Sequence, residues 1–297
     1  MILVPFPSKR QSLDMLTIMF FFPYLKKLIG THWIHPHHHG SGTLQVGGGA
    51  ATVLIVEDAP GEVPPEVAQA EEIVLMVQHF DANKLNNAAT QSRDNWFDLN
   101  SSVGNTFRLV NGQYRPELSA TAGEWQRWRV VYGAWDIPPL DLEMNSNGNC
   151  EMNLLAKDGI YISDYPRPIS SYPITTAGRA DIMVRCRATG TFTVNDFGGQ
   201  LFTLNVVAPP GGNGAIDVST PPTLNHPFPR PSYLFDLQNT QPSPGCSCTT
   251  ALGRGNRING LSYDPNRFVH TIAQGSVVDR ALRGINAHPY HRKYMNL

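Results

Sequence analysis

The segment EWQRWRVVYGAW, residues 124–135, is the clearest strand-like stretch of the chain. Apolar and charged side chains alternate along it, with Trp128, Val130 and Tyr132 in one set and Arg127 and Arg129 in the other. Because successive side chains of a β-strand point to opposite faces, this order predicts a strand with one face on a core and both arginines facing away from it. No stretch of the sequence has a long helical period, so the pattern indicates an all-β protein.

Four further segments show the same alternation or a strong turn signal. They are FRLVNGQ (107–113), CEMNLLAKDGIYI (150–162), ADIMVRC (180–186) and TFTVNDFGGQLFTLNVV (191–207). The pairs Asn111-Gly112 and Asp158-Gly159 are typical of tight turns between strands. Turn signals recur at roughly the 8–12-residue spacing of a β-sandwich, so we predict one complete sandwich over residues 67–207.

The remaining chain predicts parts of two further domains. The apolar run TVLIV, residues 52–56, indicates a strand, and residues 30–60 are expected to form the C-terminal part of a first domain. Residues 208–254 are rich in Pro and Gly and are predicted to be a connector with little regular structure. Residues 255–297 again contain strand-like pieces and are expected to form the N-terminal part of a third domain. Two partial domains would expose apolar strands and unpaired edges, which predicts poor solubility.

The composition argues against several classes of function. The chain has 297 residues, a formal net charge of −1 and no long basic run, so nucleic-acid binding is not expected. The apolar run LTIMFFFPYL, residues 16–25, is shorter than the roughly 20 residues of a membrane span. It lies between two basic pairs without a small-residue cleavage pattern. Residues 1–29 are therefore interpreted as an atypical N-terminal extension, with a targeting segment as the alternative.

The chain contains four cysteines, Cys150, Cys186, Cys246 and Cys248, and no CxxC pair. This spacing argues against a zinc knuckle or a thioredoxin-like motif. Cys150 and Cys186 fall on the apolar faces of predicted strands, where buried structural thiols are expected. A disulfide between these two cysteines is the alternative that the sequence leaves open.

A histidine-rich segment, THWIHPHHHGSG, begins at Thr31. It is internal, it is shorter than a usual purification tag, and a strand-like sequence follows it, so we reject the tag. On an extended strand His35 and His37 point to the same side and can bind one metal region together. Imidazole suits copper, zinc, iron or nickel, and a solvated histidine-rich loop is the alternative. Near the C-terminus, His288 and His291 form a second and weaker candidate pair.

Taken together, these segments resemble the multicopper oxidases. Residues 32–58, HWIHPHHHGSGTLQVGGGAATVLIVED, are similar to the second copper motif of that family. The strand-like segments between residues 107 and 186 are similar to the middle cupredoxin domain of a three-domain, laccase-like member. INAHPYH, residues 285–291, is similar to the start of the third motif. The resemblance implies Greek-key cupredoxin β-sandwich domains in a protein that is truncated at both ends.

The resemblance also implies a copper cofactor and an oxidoreductase function. Members of the family couple one-electron oxidation of a phenol or a metal ion to the reduction of dioxygen to water. By position, His35 and His37 would bind the paired type 3 coppers, His288 the type 1 copper and His291 the type 2 copper. The partners would be that reductant and dioxygen, and the compartment would be of the secreted or periplasmic type.

Three departures from the family pattern concern these copper sites. Lys293 stands where the third motif should end in histidine, and a protonated lysine has no lone pair for copper. No His-x-His-Gly precedes Thr31, and no cysteine has a histidine neighbour, although the family draws its type 1 cysteine from a His-Cys-His. The sequence therefore predicts that this chain as written is inactive. The alternative hypothesis is a non-catalytic copper-binding or structural protein on a cupredoxin scaffold.

Overall fold

A computed structural model describes residues 29–37, 42–81, 106–135, 139–165, 167–197, 199–211, 237, 239–253, 257–262, 264 and 266–284. The chain divides into two compact units, Met1–Pro231 and Ser232–Leu297. The described part of the first unit contains two short helices, α1 (Gly42–Gly47) and α2 (Pro65–Ala68). Its strands are β1 (Gly30–Ile34), β2 (Thr52–Val56), β3 (Glu71–Asp81), β4 (Thr106–Val110), β5 (Glu117–Thr121), β6 (Trp125–Tyr132), β7 (Leu140–Asn145), β8 (Cys150–Lys157), β9 (Ile160–Tyr161), β10 (Arg167–Ile169), β11 (Ser171–Ile174), β12 (Arg179–Cys186), β13 (Gly190–Asp196) and β14 (Gly199–Val207).

Two sheets form a β-sandwich in this unit, which confirms the all-β prediction. A seven-stranded sheet has the order β10-β8-β12-β6-β3-β4, with β9 paired to β8. A five-stranded sheet has the order β11-β7-β13-β14-β5. The pairs β3–β6 and β5–β14 are parallel, because the connections between these strands cross from one sheet to the other.

The core lies between the two sheets, where the alternation of residues 124–135 predicted it. Trp128, Val130 and Tyr132 of β6 are fully buried there. The indole of Trp128 meets the ring of Phe202 from the opposite sheet edge-on, with ring centroids 5.4 Å apart. Aromatic pairs favour this arrangement, so the contact stabilises the packing of one sheet on the other.

The predicted Asn111-Gly112 turn forms, but it does not close a simple hairpin. Both residues have positive φ, 51° and 78°, as a tight turn requires. The chain then turns again at Arg115, whose φ is 50°. As a result β5 pairs with β14 in the other sheet instead of returning along β4.

The outer face of the seven-stranded sheet is covered by residues that precede the sandwich. β1 and β2 form an antiparallel hairpin in which Thr31 pairs with Ile55 and Trp33 with Val53. A second apolar cluster on this face combines residues of the β2–β3 and β9–β10 connections with residues of β8, β9 and β12. Its members are Val63, Val67, Leu155, Ala156, Tyr161, Tyr165 and Met183. The hairpin that carries the histidines therefore belongs to the same unit as the sandwich.

Cys150 and Cys186 form a disulfide between paired residues of β8 and β12. The expectation of buried structural thiols was therefore wrong, and the alternative pairing is correct. The two Cα atoms are 4.0 Å apart, a distance that only the strand register establishes. Cys246 and Cys248 are free thiols.

The described part of the second unit contains a three-stranded sheet. Its strands are β15 (Ser247–Gly253), β16 (Arg257–Ile258) and β17 (Asp279–Gly284), in the order β16-β15-β17. β15 lies within residues 208–254, the segment interpreted as a connector with little regular structure. The sequence did not indicate this strand, because its pairing partner β17 is distant in the sequence. The domain bounds assigned from the sequence stay predictions. Among the described residues, no helix is long and apolar enough to cross a membrane.

Candidate metal centre

The side chains of Trp33, His35 and His37 form a ladder on one side of the segment that begins with β1. The Trp33 and His35 rings stack with centroids 4.1 Å apart and planes inclined by 19°. The His35 and His37 rings follow, with centroids 5.4 Å apart and planes inclined by 44°. Alternate residues of an extended segment share a side, so the ladder continues the side-chain order of the strand beyond its last residue, Ile34.

One ring nitrogen of His35 has a backbone partner. His35 Nδ1 lies 3.0 Å from the carbonyl oxygen of Pro36, so the tautomer with a proton on Nδ1 donates a hydrogen bond there. In that tautomer the lone pair is on Nε2. A hydrogen bond from the other ring nitrogen is the usual way in which a metal-binding imidazole is oriented.

His32 lies on the opposite side of β1 from this ladder. Its ring packs against the turn between β8 and β9, since a Cβ on Gly159 would lie 3.3 Å from His32 Cε1. The backbone of Gly30 approaches the same turn, and a Cβ there would lie 2.5 Å from the Gly159 carbonyl oxygen. β1 therefore rests on this turn through a glycine and through His32, which keeps His32 away from the pair.

Gly30→Ala is expected to lower the free energy of unfolding by about 1–3 kcal/mol, because the new methyl group meets a backbone carbonyl at a strained φ. Gly61→Ala is the matched control, since Gly61 also has a positive φ, 81°, but nothing lies within 4 Å of its added Cβ. Thermal unfolding of both variants measures the difference. Equal losses would show that the close approach of β1 to the Asp158–Gly159 turn has no energetic effect.

The glycine-rich segment between β1 and β2 packs on β3 and on Trp135. A Cβ on Gly47, the last residue of α1, would lie 2.7 Å from the Trp135 indole. Gln78 of β3 donates a hydrogen bond from Nε2 to the Gly49 carbonyl at 3.0 Å. The glycines of this segment are needed because the backbone approaches its neighbours too closely for larger residues.

Thr31 holds β1 on the sandwich. Its side chain is fully buried, and Oγ1 donates to Asp181 Oδ1 at 2.5 Å. Arg129 Nη1 donates to the same hydroxyl at 3.2 Å, and Arg179 Nε donates to the Thr31 carbonyl at 3.3 Å. Side chains from β6 and β12 thus bind both the hydroxyl and the backbone of one residue of β1.

Asp181 also binds the two arginines of β6. Its Oδ2 atom accepts from Arg127 Nη2 at 2.8 Å and from Arg129 Nη1 at 3.3 Å. The three side chains are only 2–4% exposed. Charged groups at this depth are stable only when they are paired and hydrogen-bonded, and here the carboxylate meets both cations. A second acid, Glu72, lies 2.6 Å from Arg129 Nε.

Asp58 and Tyr161 connect the other end of the hairpin to the same network. Arg127 donates to Asp58 Oδ2 from Nη1 at 2.9 Å and to the Tyr161 hydroxyl from Nη2 at 2.7 Å. The Tyr161 hydroxyl in turn donates to Asp58 Oδ1 at 2.7 Å. Asp58 comes shortly after β2, so both strands of the hairpin are attached to one buried set of charges.

The electrostatics of this network keep Tyr161 and Arg127 in the protonation states that their hydrogen bonds need. Burial raises the pKa of Tyr161 well above its ordinary range, and Asp58 adds to the rise although Arg127 opposes it. Burial by itself would lower the pKa of Arg127, but Asp181 and Asp58 reverse this and the net shift is upward. Tyr161 is thus neutral and Arg127 charged at neutral pH.

The structure places the predicted site residues unevenly. His35 and His37 are brought together on one side, while His288, His291 and Lys293 lie outside the described residues, as do His38 and His39. The described ranges contain no group of three or more His, Cys, Asp or Glu side chains able to hold a metal ion. The assignment of the histidines as ligands therefore stays a prediction.

The sequence analysis missed Thr31, Asp58, Tyr161 and Asp181. One signal could have indicated them. Arg127 and Arg129 place two charges in a mostly apolar central strand, and Asp181 lies in the strand paired with it, so a buried ion pair was available to both.

No protein-family model matches the sequence. Several solved structures resemble the chain. A multi-copper oxidase from Pseudomonas parafulva matches at 22% identity with a TM-score of 0.62, over 87% of this chain and 60% of that one. A multi-copper oxidase from Pediococcus acidilactici matches at 18% identity with a TM-score of 0.59, over 80% of this chain and 47% of that one. A Campylobacter jejuni multicopper oxidase, described as a metallo-oxidase, matches at 17% identity with a TM-score of 0.56, over 87% of this chain and 56% of that one.

These structures share the cupredoxin-like fold that the sequence resemblance implied. The chain spans about half the length of each of them, between 47% and 60%. At this identity the comparison establishes the fold.

Proposed function

We propose that this chain, which has the fold of the multicopper oxidases, is part of a copper-dependent oxidoreductase. In that role it would couple the one-electron oxidation of a phenol or a metal ion to the reduction of dioxygen to water. The observation that carries the proposal is the placement of His35 and His37 on one side of a hairpin that is fixed to the sandwich by buried bonds. The resemblance of residues 32–58 to a copper motif of the same family supports it.

The donor set of this hairpin fits copper. Imidazole is a good copper ligand, and its nitrogen binds metals at roughly 2 Å. Two rings with centroids 5.4 Å apart are close enough for their nitrogens to reach one copper or two adjacent ones. His35 would bind through Nε2, because Nδ1 faces the Pro36 carbonyl. Bound copper would supply one-electron transfer, which none of these side chains supplies alone.

The protein's own residues would orient the ligands. The Trp33 indole stacks on His35 and limits rotation of the imidazole. The Pro36 carbonyl stabilises the Nδ1–H tautomer and so leaves Nε2 as the binding atom. His288 and His291 are proposed as ligands of the type 1 and type 2 coppers on the resemblance alone.

A second candidate function is non-catalytic copper binding or a structural role on the same scaffold. The observation that favours it is in the sequence: no histidine adjoins Cys150, Cys186, Cys246 or Cys248. Cys150 and Cys186 are also consumed by the disulfide. A type 1 centre takes a cysteine thiolate and two histidines, and the free thiols Cys246 and Cys248 have no adjoining histidine to build the family's His-Cys-His.

The disulfide supports a secreted or periplasmic location. Disulfides persist in oxidising compartments and are rare where glutathione and thioredoxin keep thiols reduced. The Cys150–Cys186 bridge joins neighbouring strands of the central sheet. We therefore propose a secreted or periplasmic location for this chain.

Copper titration tests the proposal. The wild-type chain is expected to bind Cu(II) in competition with a chelator. His35→Ala/His37→Ala is expected to weaken binding by at least about tenfold, because it removes both imidazole donors. His270→Ala is the control, since that ring contacts Thr249 and Thr250 in the second unit. Equal copper binding by wild type and the double variant would overturn the copper site.

Oxygen uptake tests whether this chain is catalytic by itself. Copper-loaded chain is mixed with a phenol or with Fe(II), and dioxygen consumption is followed. Uptake that the double variant lacks would support the oxidoreductase. Copper binding without any uptake would show that this chain alone does not turn over, a result expected both of a part of an oxidoreductase and of a non-catalytic copper protein.

A further inference from the structure

We propose that Asp181 is a positioning residue for the His35–His37 pair and acts on it through Thr31. This inference rests on the proposed function. Asp181 lies on β12 and binds β1 through the Thr31 hydroxyl.

The first step is the attachment of Thr31. Its hydroxyl donates to Asp181 Oδ1 at 2.5 Å and accepts from Arg129 Nη1 at 3.2 Å. Since Thr31 is fully buried, water cannot replace either partner. Loss of one partner would leave a buried polar atom unsatisfied, so the side chain has one favourable position.

The second step runs along β1. Thr31, Trp33, His35 and His37 occupy alternate positions of one extended segment, so they share a side. The Trp33 ring stacks on His35, and the His35 ring lies beside that of His37. A shift of Thr31 therefore moves the whole ladder, and a slip of one residue would turn every ring to the opposite side.

The third step explains why a carboxylate is needed. Asp181 uses Oδ1 for Thr31 and Oδ2 for Arg127 and Arg129. An amide has only one acceptor oxygen and no charge, so Asn could not accept from the hydroxyl on one side and neutralise the arginines on the other. Only the carboxylate holds the strand while it also neutralises the cations beneath it.

The test compares variants that differ in one atom group. Thr31→Val removes the hydroxyl and keeps the shape, and Thr31→Ser keeps the hydroxyl. Val194→Ala is the control for general destabilisation, because Val194 is fully buried between the sheets on β13. Three quantities are measured on the full chain: the unfolding midpoint, the Cu(II) affinity with its electron paramagnetic resonance spectrum, and nuclear Overhauser contacts between the Trp33 and His35 rings without metal.

Thr31→Val and Asp181→Asn are expected to weaken Cu(II) binding by about threefold to tenfold and to change the copper spectrum. The Trp33–His35 ring contacts should weaken as well. Thr31→Ser should keep the copper affinity, the copper spectrum and the ring contacts of the wild type. Val194→Ala should lower the unfolding midpoint alone. If Thr31→Val behaved like Val194→Ala, with unchanged spectrum and ring contacts, Asp181 would be a structural anchor only.

The metal-free readout separates the two proposals. If wild type bound no copper but Thr31→Val lost the ring contacts, the proposed function would fail and the positioning role of Asp181 would stand. If copper bound at His35 and His37 while every Thr31 variant left the ring contacts intact, the positioning role would fail and the proposed function would stand.

Discussion

Removal of the Cys150–Cys186 disulfide is expected to lower the free energy of unfolding of the sandwich by about 2–4 kcal/mol. The bridge joins residues 36 apart in the sequence, so it closes a long loop in the unfolded chain. In the chain-entropy account, cutting a loop of this length releases many unfolded conformations. The folded state loses little, because both strands stay paired through Val184 and Met152 in the same sheet.

The measurement is urea unfolding of Cys150→Ala/Cys186→Ala, followed by tryptophan fluorescence, to which the buried Trp128 contributes. The matched control is Cys246→Ala/Cys248→Ala, which removes the same number of sulfur atoms from the free thiols. Only the first variant should shift the midpoint, and a reductant should shift wild type in the same direction. Identical midpoints for both double variants would show that the bridge does not stabilise the sandwich.

The strands of the sandwich were predictable because their pattern is local. Alternation with a period of two places Trp128, Val130 and Tyr132 on one face whatever the partner strands are. The order of the strands was not predictable in the same way, and the Asn111-Gly112 turn illustrates this. A turn signal predicts a change of direction, but Arg115 and the pairing with β14 decide which sheet the chain joins.

The candidate site was predictable only in part. The common side of His35 and His37 follows from their spacing, and the ladder of rings agrees with it. The residues that fix the hairpin could not be assigned, since Thr31 is 98 positions from Arg129 and Asp58 is 69 positions from Arg127. The pairing of Cys150 with Cys186 could not be decided from the sequence for the same reason, because it depends on how β8 and β12 pair.

The buried charges under the hairpin also determine the largest stability effect that we expect. Asp181 neutralises Arg127 and Arg129, and all three side chains are almost fully buried. Removal of one partner from such a group leaves the others charged in a medium that solvates them poorly. The lost attraction between the partners matters less than the desolvated charge that stays behind.

Asp181→Ala is therefore expected to lower the free energy of unfolding by about 3–5 kcal/mol. The matched control is Asp164→Ala at an exposed pair with Arg167, where solvent replaces the lost carboxylate and no measurable loss is expected. Adding Arg129→Met to Asp181→Ala should recover part of the stability, because it removes a buried cation that would keep only the partly exposed Glu72 as its acidic partner. Urea unfolding of the three variants tests this. If the second substitution lowered stability further, the uncompensated charge would not be the cause of the loss.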